Sequence, residues 1–573
     1  MDEPGAIIVS ELREIQHKFG FLPMEELHAL STRLKVPVYQ LHGVASFFPH
    51  FRLNPPAPVE VRVCADMSCH LNGAAALLEA FQAEGGRVPG VEVAGISCLG
   101  RCDRAPAAAI GERIIESVKI DEVPNLVLAA ADGKLDPRPR PASQPSTLHS
   151  DPYGGTPRYE AVQQFVSQPD AEKVFATLKA SGLRGLGGAG FPTGDKWRFV
   201  RQASGEVKYI VCNADESEPG TIKDRFIMES LPYLLLEGMT MAGLVTGART
   251  GFVYLRHEYE ACKEALEHAI RDAREKGVLG AKVMGSSFTF DIEVFMSPGG
   301  YICGEESALL EAMEGKRAEP RNKPPFPVNF GLYGKPTVIN NVETLAFVPL
   351  ILLKGADWFK AQGQNGGTGL KFVGISGHVA KPGVYEVPMG IPARQLVYDL
   401  AGGLRRGRTL KAWAPSGPSS GYLPASTIDL PLEWDSLAKA GSMLGSGAVV
   451  VIGDGTCMLD MALNAVRFFR NESCGKCVPC RVGTQKLVEL LTRATRGQGN
   501  PADMETIEDL DQAMRLASIC GLGQIAAKPL TSVIEHFRSE VDAHIVGKRC
   551  PSGVCQMAAP VDGDLTMTIM RRM

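Results

Sequence analysis

Residues 182–197 read GLRGLGGAGFPTGDKW, and positions 185–190 within them carry the spacing G-x-G-x-x-G. A dinucleotide fingerprint of that form follows a strand, opens a helix and is trailed by an acidic residue about 20 positions on. The stretch before it, DAEKVFATLKASG, has helical periodicity instead. The stretch after it, FPTGDKW, is expected not to begin a regular helix, because Pro and Gly interrupt the first turn. Both contexts argue against a Rossmann turn. The glycines can still aim backbone N–H groups at an anion or clear space for a flat ring.

Four further segments sharpen that reading. VCNADESEPGTIKDR (211–225) places Asn213, Asp215, Glu216 and Glu218 directly after a predicted strand. GGYICGEESALLEAMEGKR (299–317) sets a glycine turn and Glu305-Glu306 at the mouth of a predicted helix. RNKPPFP (321–327) and KPTVINNVET (335–344) add Lys323, Phe326 and the Asn340-Asn341 pair. Acidic side chains beside a glycine loop repel phosphate. They suit ribose hydroxyls, a ribityl chain or a carboxamide.

The chain of 573 residues is long enough for several domains, and its net charge of −4 gives no basic surplus for nucleic acid. The longest apolar run, LAFVPLILL at 345–353, is far short of the ~18 residues of a membrane span. The opening MDEPGAIIVSELREIQ is acidic and amphipathic, unlike a secretory signal, so a cytoplasmic location is expected.

The fourteen cysteines are mostly clustered at metal-like intervals. Cys64-x4-Cys69 and Cys98-x3-Cys102 each lie after a predicted strand, VEVRVC or VEVAGISC. Two pairs of thiolates suit a [2Fe–2S] rhomb, each iron taking two; a four-Cys zinc site is the alternative, though it favours C-x2-C knuckles. Cys474-x2-Cys477-x2-Cys480 supplies three corners of a [4Fe–4S] cubane, and Cys520 in SICGLGQ is the candidate fourth. Cys457, His544, Cys550 and Cys555 could complete a tetrahedral zinc site tying down the C-terminus, or the last two could be free thiols on a frayed tail. Cys212, Cys262 and Cys303 have no partner pattern and read as packing residues.

Taken together, GLRGLGGAGFPTGDKW, CNADESEPGTIKDR, GGYICGEES, KPPFP, INNVET and ESCGKCVPCRVGT resemble the 51 kDa-type flavin subunit of respiratory complex I and of soluble NAD-linked formate dehydrogenases and hydrogenases. The match covers about 160–545, and the first 136 residues are similar to the 24 kDa-type partner subunit, here fused ahead of it. The resemblance implies an α/β multidomain chain. Its parts would be helices plus a thioredoxin-like [2Fe–2S] domain (1–136), a linker (137–158), a Rossmann-like FMN- and NAD(H)-binding domain (159–365), a ubiquitin-like β-grasp domain (366–453), a helical bundle with the [4Fe–4S] cluster (454–545) and a tail (546–573).

It further implies FMN held by Gly185, Gly187, Gly190, Lys196, Asn213, Asp215, Glu216, Gly304, Glu305, Asn340, Asn341 and Thr344. NAD(H) would stack on the flavin near Phe191, Phe199, Phe326, Glu218, Tyr301, Glu306 and Lys323, with no side chain acting as catalytic acid or base. The implied activity is NADH:acceptor (diaphorase) oxidoreduction with a partner catalytic subunit of formate dehydrogenase or hydrogenase type and further iron–sulfur subunits. A complex I-type NADH dehydrogenase module and a non-catalytic iron–sulfur scaffold are the rival readings. Cys457, His544 and the CPSGVC tail lie outside the complex I pattern and look like the bifurcating-hydrogenase type of flavin subunit.

Overall fold

The computed structural model describes residues 8–135, 148–156 and 158–557. Most of the expected linker and residues 558–573 of the expected tail therefore lie outside the described residues. Helices Ile8–Phe19, Met24–Leu34 and Val38–Ala45 come first, each burying an apolar stripe such as Leu27, Leu30 and Leu34. A four-stranded sheet follows, built from β1 (Val59–Cys64), β2 (Val91–Ile96), β3 (Ala108–Ile110) and β4 (Arg113–Ile115), in the order β2-β1-β3-β4. β1 and β2 run parallel, joined by a helix at Ala74–Gly85 that lays Leu77 and Phe81 on the sheet. Parallel strands end on the same edge. That is why Cys64 and Cys98 come together across the intervening crossover.

The second sheet is wholly parallel: β5 (Tyr209–Ala214), β6 (Thr250–Leu255), β7 (Asp291–Met296) and β8 (Thr337–Asn341), in the order β7-β6-β5-β8. Such sheets are covered on both faces. One cover is the apolar helix Pro232–Thr246, which crosses Val342–Lys354 so closely that a Cβ at Gly238 would lie 2.0 Å from Leu345 O. Only glycine fits that crossing.

A third, mixed sheet comprises β9 (Leu370–Gly377), β10 (Gly383–Pro388), β11 (Leu410–Pro418), β12 (Leu423–Pro424) and β13 (Ala448–Gly453). Its order is β10-β9-β13-β11-β12, and the apolar run AVVVIG of β13 is buried at its centre. Helices Met458–Glu472, Val478–Thr495, Asp503–Ala517, Lys528–His536 and Arg538–Ile545 complete the chain. No helix among the described residues is long and apolar enough to cross a membrane.

One expectation is corrected. A helix does open directly after the glycine loop, at Thr193–Gln202, with Pro192 as its cap. Pro is pre-set for a helix start, where its missing N–H costs nothing. Gly194 is required in the first turn because a Cβ there would meet Phe175 O at 2.8 Å on the preceding helix. The other half of the Rossmann test stands: a helix, Ala171–Ala180, and no strand, precedes the loop.

Candidate flavin and iron–sulfur sites

In the parallel sheet the chain steps from β5 to β6 and β7 on one side, then returns with β8 on the other. The carboxyl ends of β5 and β8 therefore form the switch point where α/β sheets open a ligand crevice. Asn213 and Asn341 are register partners there, as are Cys212 and Asn340. Trp197 Nε1 donates to Asn340 Oδ1 at 2.8 Å, and Lys196 Nζ donates to Ile339 O at 2.9 Å, which docks the helix behind the glycine loop onto β8. Trp197 closes the glycine motif in sequence, but its role depends on a partner 143 residues away.

The glycine loop closes on itself and onto this crevice. Gly185 N donates to Phe191 O at 2.8 Å, and Leu186 N donates to Thr344 Oγ1 at 2.9 Å. A Cβ at Gly187 would lie 2.9 Å from Asn341 Cβ, and Gly190 has φ +65° beside the Trp434 ring. Asn213 Nδ2 donates to Gly304 O at 2.8 Å, joining the loop after β5 to the GGYICGEES loop. Asp215 Oδ1 accepts from Ser217, while Asp215 Oδ2 is buried with no hydrogen-bond partner. Burial pushes the Asp215 carboxyl up to about 7, against the pull of Arg256. An orphaned buried oxygen in a cradle of glycines and amides fits a polyol donor such as the ribityl chain of FMN.

Other expected residues serve the walls. Glu216 accepts from Asp224 N, Arg225 N and Tyr259 Oη, so its carboxylate ties the loop together; burial pushes it up to about 7. Asn341 joins a buried charge network in which Lys223 pairs with Asp224 at 2.6 Å and with Glu343 at 2.9 Å. Glu218 accepts from Tyr301 Oη and from Ser419 N. Glu305 caps the helix Glu306–Met313 and, with Glu306, pairs with Lys323 at 2.8 and 2.7 Å. Lys196 lies 3.9 Å from Glu306 and over the Phe191 ring. Phe191 and Phe199 face each other at 6.4 Å and, like Phe326, stay exposed, an aromatic rim suited to stacking a planar ring.

The cysteine groups flank this crevice. Cys64, Cys69, Cys98 and Cys102 are all buried, with Cys98 Sγ 3.5 Å from Cys102 Sγ. Gly220 N, in the flavin-side loop, donates to Cys102 Sγ at 3.2 Å, and Gly100 N donates to Cys98 Sγ at 3.4 Å. Backbone donors aimed at sulfur are what a cluster's thiolates need. On the other side, burial raises Cys480 to about 12, and the neighbouring Cys477, Cys520 and Cys474 thiols add to the rise. Cys520 lies close to the triplet: a Cβ at Gly523, three residues on, would sit 2.9 Å from Cys480 Cβ. The triplet loop is tied to the nucleotide side through Lys476 Nζ, which donates to Pro320 O at 2.7 Å, and Glu472, which accepts from Tyr301 N at 2.7 Å.

The last group is compact: the ligand atoms of Cys457, His544, Cys550 and Cys555 all lie within 4.8 Å of one another. Cys457 Sγ is 3.4 Å from His544 Nε2 and 3.6 Å from Cys555 Sγ. His544 Nδ1 meets Glu540 O at 2.7 Å, the outer hydrogen bond that leaves Nε2 free to ligate.

Comparison with known proteins follows the same partition. A family model described as the Nuo51 FMN-binding domain matches residues 178–350, one described as the NADH-ubiquinone oxidoreductase-F iron–sulfur binding region matches 460–544, and one described as a thioredoxin-like [2Fe–2S] ferredoxin matches 2–131. An F-type NADH-quinone oxidoreductase subunit of Rhizobium meliloti is 48% identical over 393 residues, covering 69% of this chain and 93% of that protein. The HndC subunit of the NADP-reducing hydrogenase of Solidesulfovibrio fructosivorans is 43% identical over 397 residues, 69% of this chain and 81% of its own length. The crystal structure of an NAD+-reducing [NiFe]-hydrogenase in the air-oxidised state superposes with a TM-score of 0.84 at 33% identity, covering 94% of this chain and 93% of that chain. The chain therefore belongs to the family of F-type NADH-quinone oxidoreductase subunits: it is an NAD(P)H-dependent flavin oxidoreductase subunit of FMN, [4Fe–4S] and [2Fe–2S] type, with a thioredoxin-like domain fused ahead of the flavin domain.

Proposed function

We propose that this chain is the cytoplasmic NADH:acceptor diaphorase subunit of a soluble NAD-dependent formate dehydrogenase or hydrogenase complex. Support for that assembly comes from the likeness to the NAD+-reducing hydrogenase, which spans 94% of the chain, including the fused N-terminal part. The observation that carries the electron-transfer reading is that both cysteine-bearing loops are tied to the crevice: Gly220 N donates to Cys102 Sγ, while Glu472 and Lys476, beside Cys474 and Cys477, bond Tyr301 N and Pro320 O. Bound in that crevice, FMN supplies the conversion between hydride transfer, two electrons at once, and one-electron carriers.

The residues have distinct parts in this reading. Asn213, Asp215, Asn340 and Asn341 hold the polyol and ring edge, and the glycines at 185, 187 and 190 leave the ring face open. Phe191, Phe199 and Phe326 receive the nucleotide, with Lys323, Glu305 and Glu306 fixing the rim. Cys64, Cys69, Cys98 and Cys102 hold the [2Fe–2S] cluster, and Cys474, Cys477, Cys480 and Cys520 hold the [4Fe–4S] cluster. We further assign zinc to Cys457, His544, Cys550 and Cys555, whose donor set and outer hydrogen bond suit a closed structural site.

Isolation of the native complex tests the proposal. A formate- or dihydrogen-oxidising subunit should co-purify with NADH-dependent dye reduction. Co-purification with quinone-reducing membrane subunits instead would establish the complex I-type reading.

A further inference from the structure

Arg256 follows β6 directly, and its backbone N–H donates to Ala214 O at 3.2 Å. Its side chain is 3% exposed and reaches two loops at once. Nη1 donates to the carbonyl of Glu216 in the flavin-side loop, and Nη2 donates to the carbonyl of Cys98. The counter-charge is Glu258, with Oε2 2.9 Å from Arg256 Nε, and the Tyr259 ring lies 5.3 Å from the guanidinium. Two more buried guanidinium groups stand nearby, each also neutralised by a carboxylate of the thioredoxin-like domain: Arg101 lies within the Cys98–Cys102 loop, and Arg225 Nη1 donates to the carbonyl of Gly100 in that loop. Arg225 pairs with Asp103 at 2.9 Å, and Arg101 pairs with Glu116 at 2.9 Å. Arg256 alone among the three touches both the carbonyl of a candidate cluster cysteine and the carbonyl of a residue in the flavin-side loop.

We propose that Arg256 is the positioning residue that locks the Cys98 loop against the flavin-side loop and, by its charge, raises the affinity of the [2Fe–2S] centre for its incoming electron. The inference rests on Cys64, Cys69, Cys98 and Cys102 being the ligands. A nicotinamide hydride would bring two electrons to the flavin; one would pass to this cluster, already surrounded by four thiolates, and the other toward the [4Fe–4S] centre. The added negative charge is poorly screened in a buried site, so a fixed cation at the ligand's own carbonyl favours the reduced form. Arg stays protonated throughout, so no proton moves at this residue. A guanidinium is also matched to two carbonyls and a carboxylate at once, which a lysine ammonium meets less completely.

The test is an EPR-monitored redox titration of the full chain in its complex, with iron and flavin content measured alongside. Arg256→Gln is expected to keep the [2Fe–2S] signal, move its midpoint to lower potential and leave the [4Fe–4S] midpoint in place. Arg256→Lys should recover most of the shift. Glu258→Gln, which removes the counter-charge, should move the same midpoint upward. An unchanged [2Fe–2S] midpoint in an iron-replete Arg256→Gln protein overturns the inference. If that variant loses iron, the Glu258→Gln titration decides it: an upward shift supports the inference and no shift overturns it. Cys98→Ser separates the two levels. Retention of the parent [2Fe–2S] spectrum in that variant removes the ligand assignment and the inference with it. Loss of the spectrum, together with a parent-like Arg256→Gln titration, removes the inference alone.

Discussion

Asn213, near the end of β5, donates its side-chain amide to the carbonyl of Gly304, 2.8 Å away and 91 positions along the chain. That bond ties the loop after β5 to the loop that carries Glu305 and Glu306. Removing the donor in Asn213→Ala leaves a half-buried carbonyl unpaired, a loss of about 1 kcal/mol. FMN affinity should fall roughly fivefold to tenfold in a fluorescence titration of flavin-stripped protein. Unaltered affinity would show that the bond does not shape the flavin site.

Asp215 adds a pH signature. Its carboxyl sits at about 7 through burial, and a hydroxyl donor bound at Oδ2 bonds more strongly to the ionised form. Ligand binding then lowers this pKa, so FMN affinity should rise as pH increases from about 6 to about 8 and weaken on acidification. Asp215→Asn should bind less tightly and lose that slope. An equal slope in parent and variant would assign the pH dependence elsewhere.

Glu237 gives a stability test away from the cofactors. Its Oε1 accepts from Tyr153 Oη at 3.1 Å and from Ala161 N at 2.8 Å, capping the helix Glu160–Ser167 from a fully buried position. Burial pushes its carboxyl from the usual 4.5 up to about 7. The folded state therefore binds the proton more tightly, and this contribution is complete below about pH 4.5 and lost as pH rises through about 7. Relative to Glu237→Gln, the parent should lose up to roughly 3 kcal/mol of stability across that window. Melting curves of the two proteins that stay parallel from about pH 5 to about pH 8 would refute this.

Cys520→Ser should abolish the reduced [4Fe–4S] EPR signal and lower iron content, because a cubane needs its fourth thiolate. Cys303→Ser, at a buried thiol whose Sγ lies 3.5 Å from Gly299 O, should leave that signal intact. Retention of the signal in Cys520→Ser would require another ligand.

Purified protein should carry one zinc per chain by elemental analysis, and Cys550→Ala should release it. Because the site joins Cys457, at the start of one helix, to His544 and the segment 550–555, zinc loss should expose the tail to protease and lower the melting temperature. Zinc-free parent protein would sink this assignment.

The candidate cluster ligands could be proposed from sequence because their spacing is local: C-x2-C-x2-C and the paired cysteines after predicted strands keep their meaning in any fold that retains those loops. The strands KYIVCNA, GFVYLRHEY and AVVVIGDG were legible from apolar, β-branched composition. β8 was not, since TVINN ends in two asparagines that read as loop, and β11 hides in LKAWAPSGP behind Gly and Pro. The helix at Thr193 escapes a reading by propensity, which counts Gly194 as a breaker. Tertiary contact with Phe175 and Lys179 makes it the residue that fits.

By itself, then, the sequence of this protein determined the chemistry: which thiols can ligate, which loops lack side chains, and that the glycine loop is no Rossmann turn. Only the tertiary structure decided where that chemistry meets. The return of β8 beside β5 brings Asn340 to Trp197, and the packing of the thioredoxin-like sheet brings Cys98 to Arg256, 158 positions away. Those pairs are joined by sheet order and domain packing, and no local pattern of residues records either one.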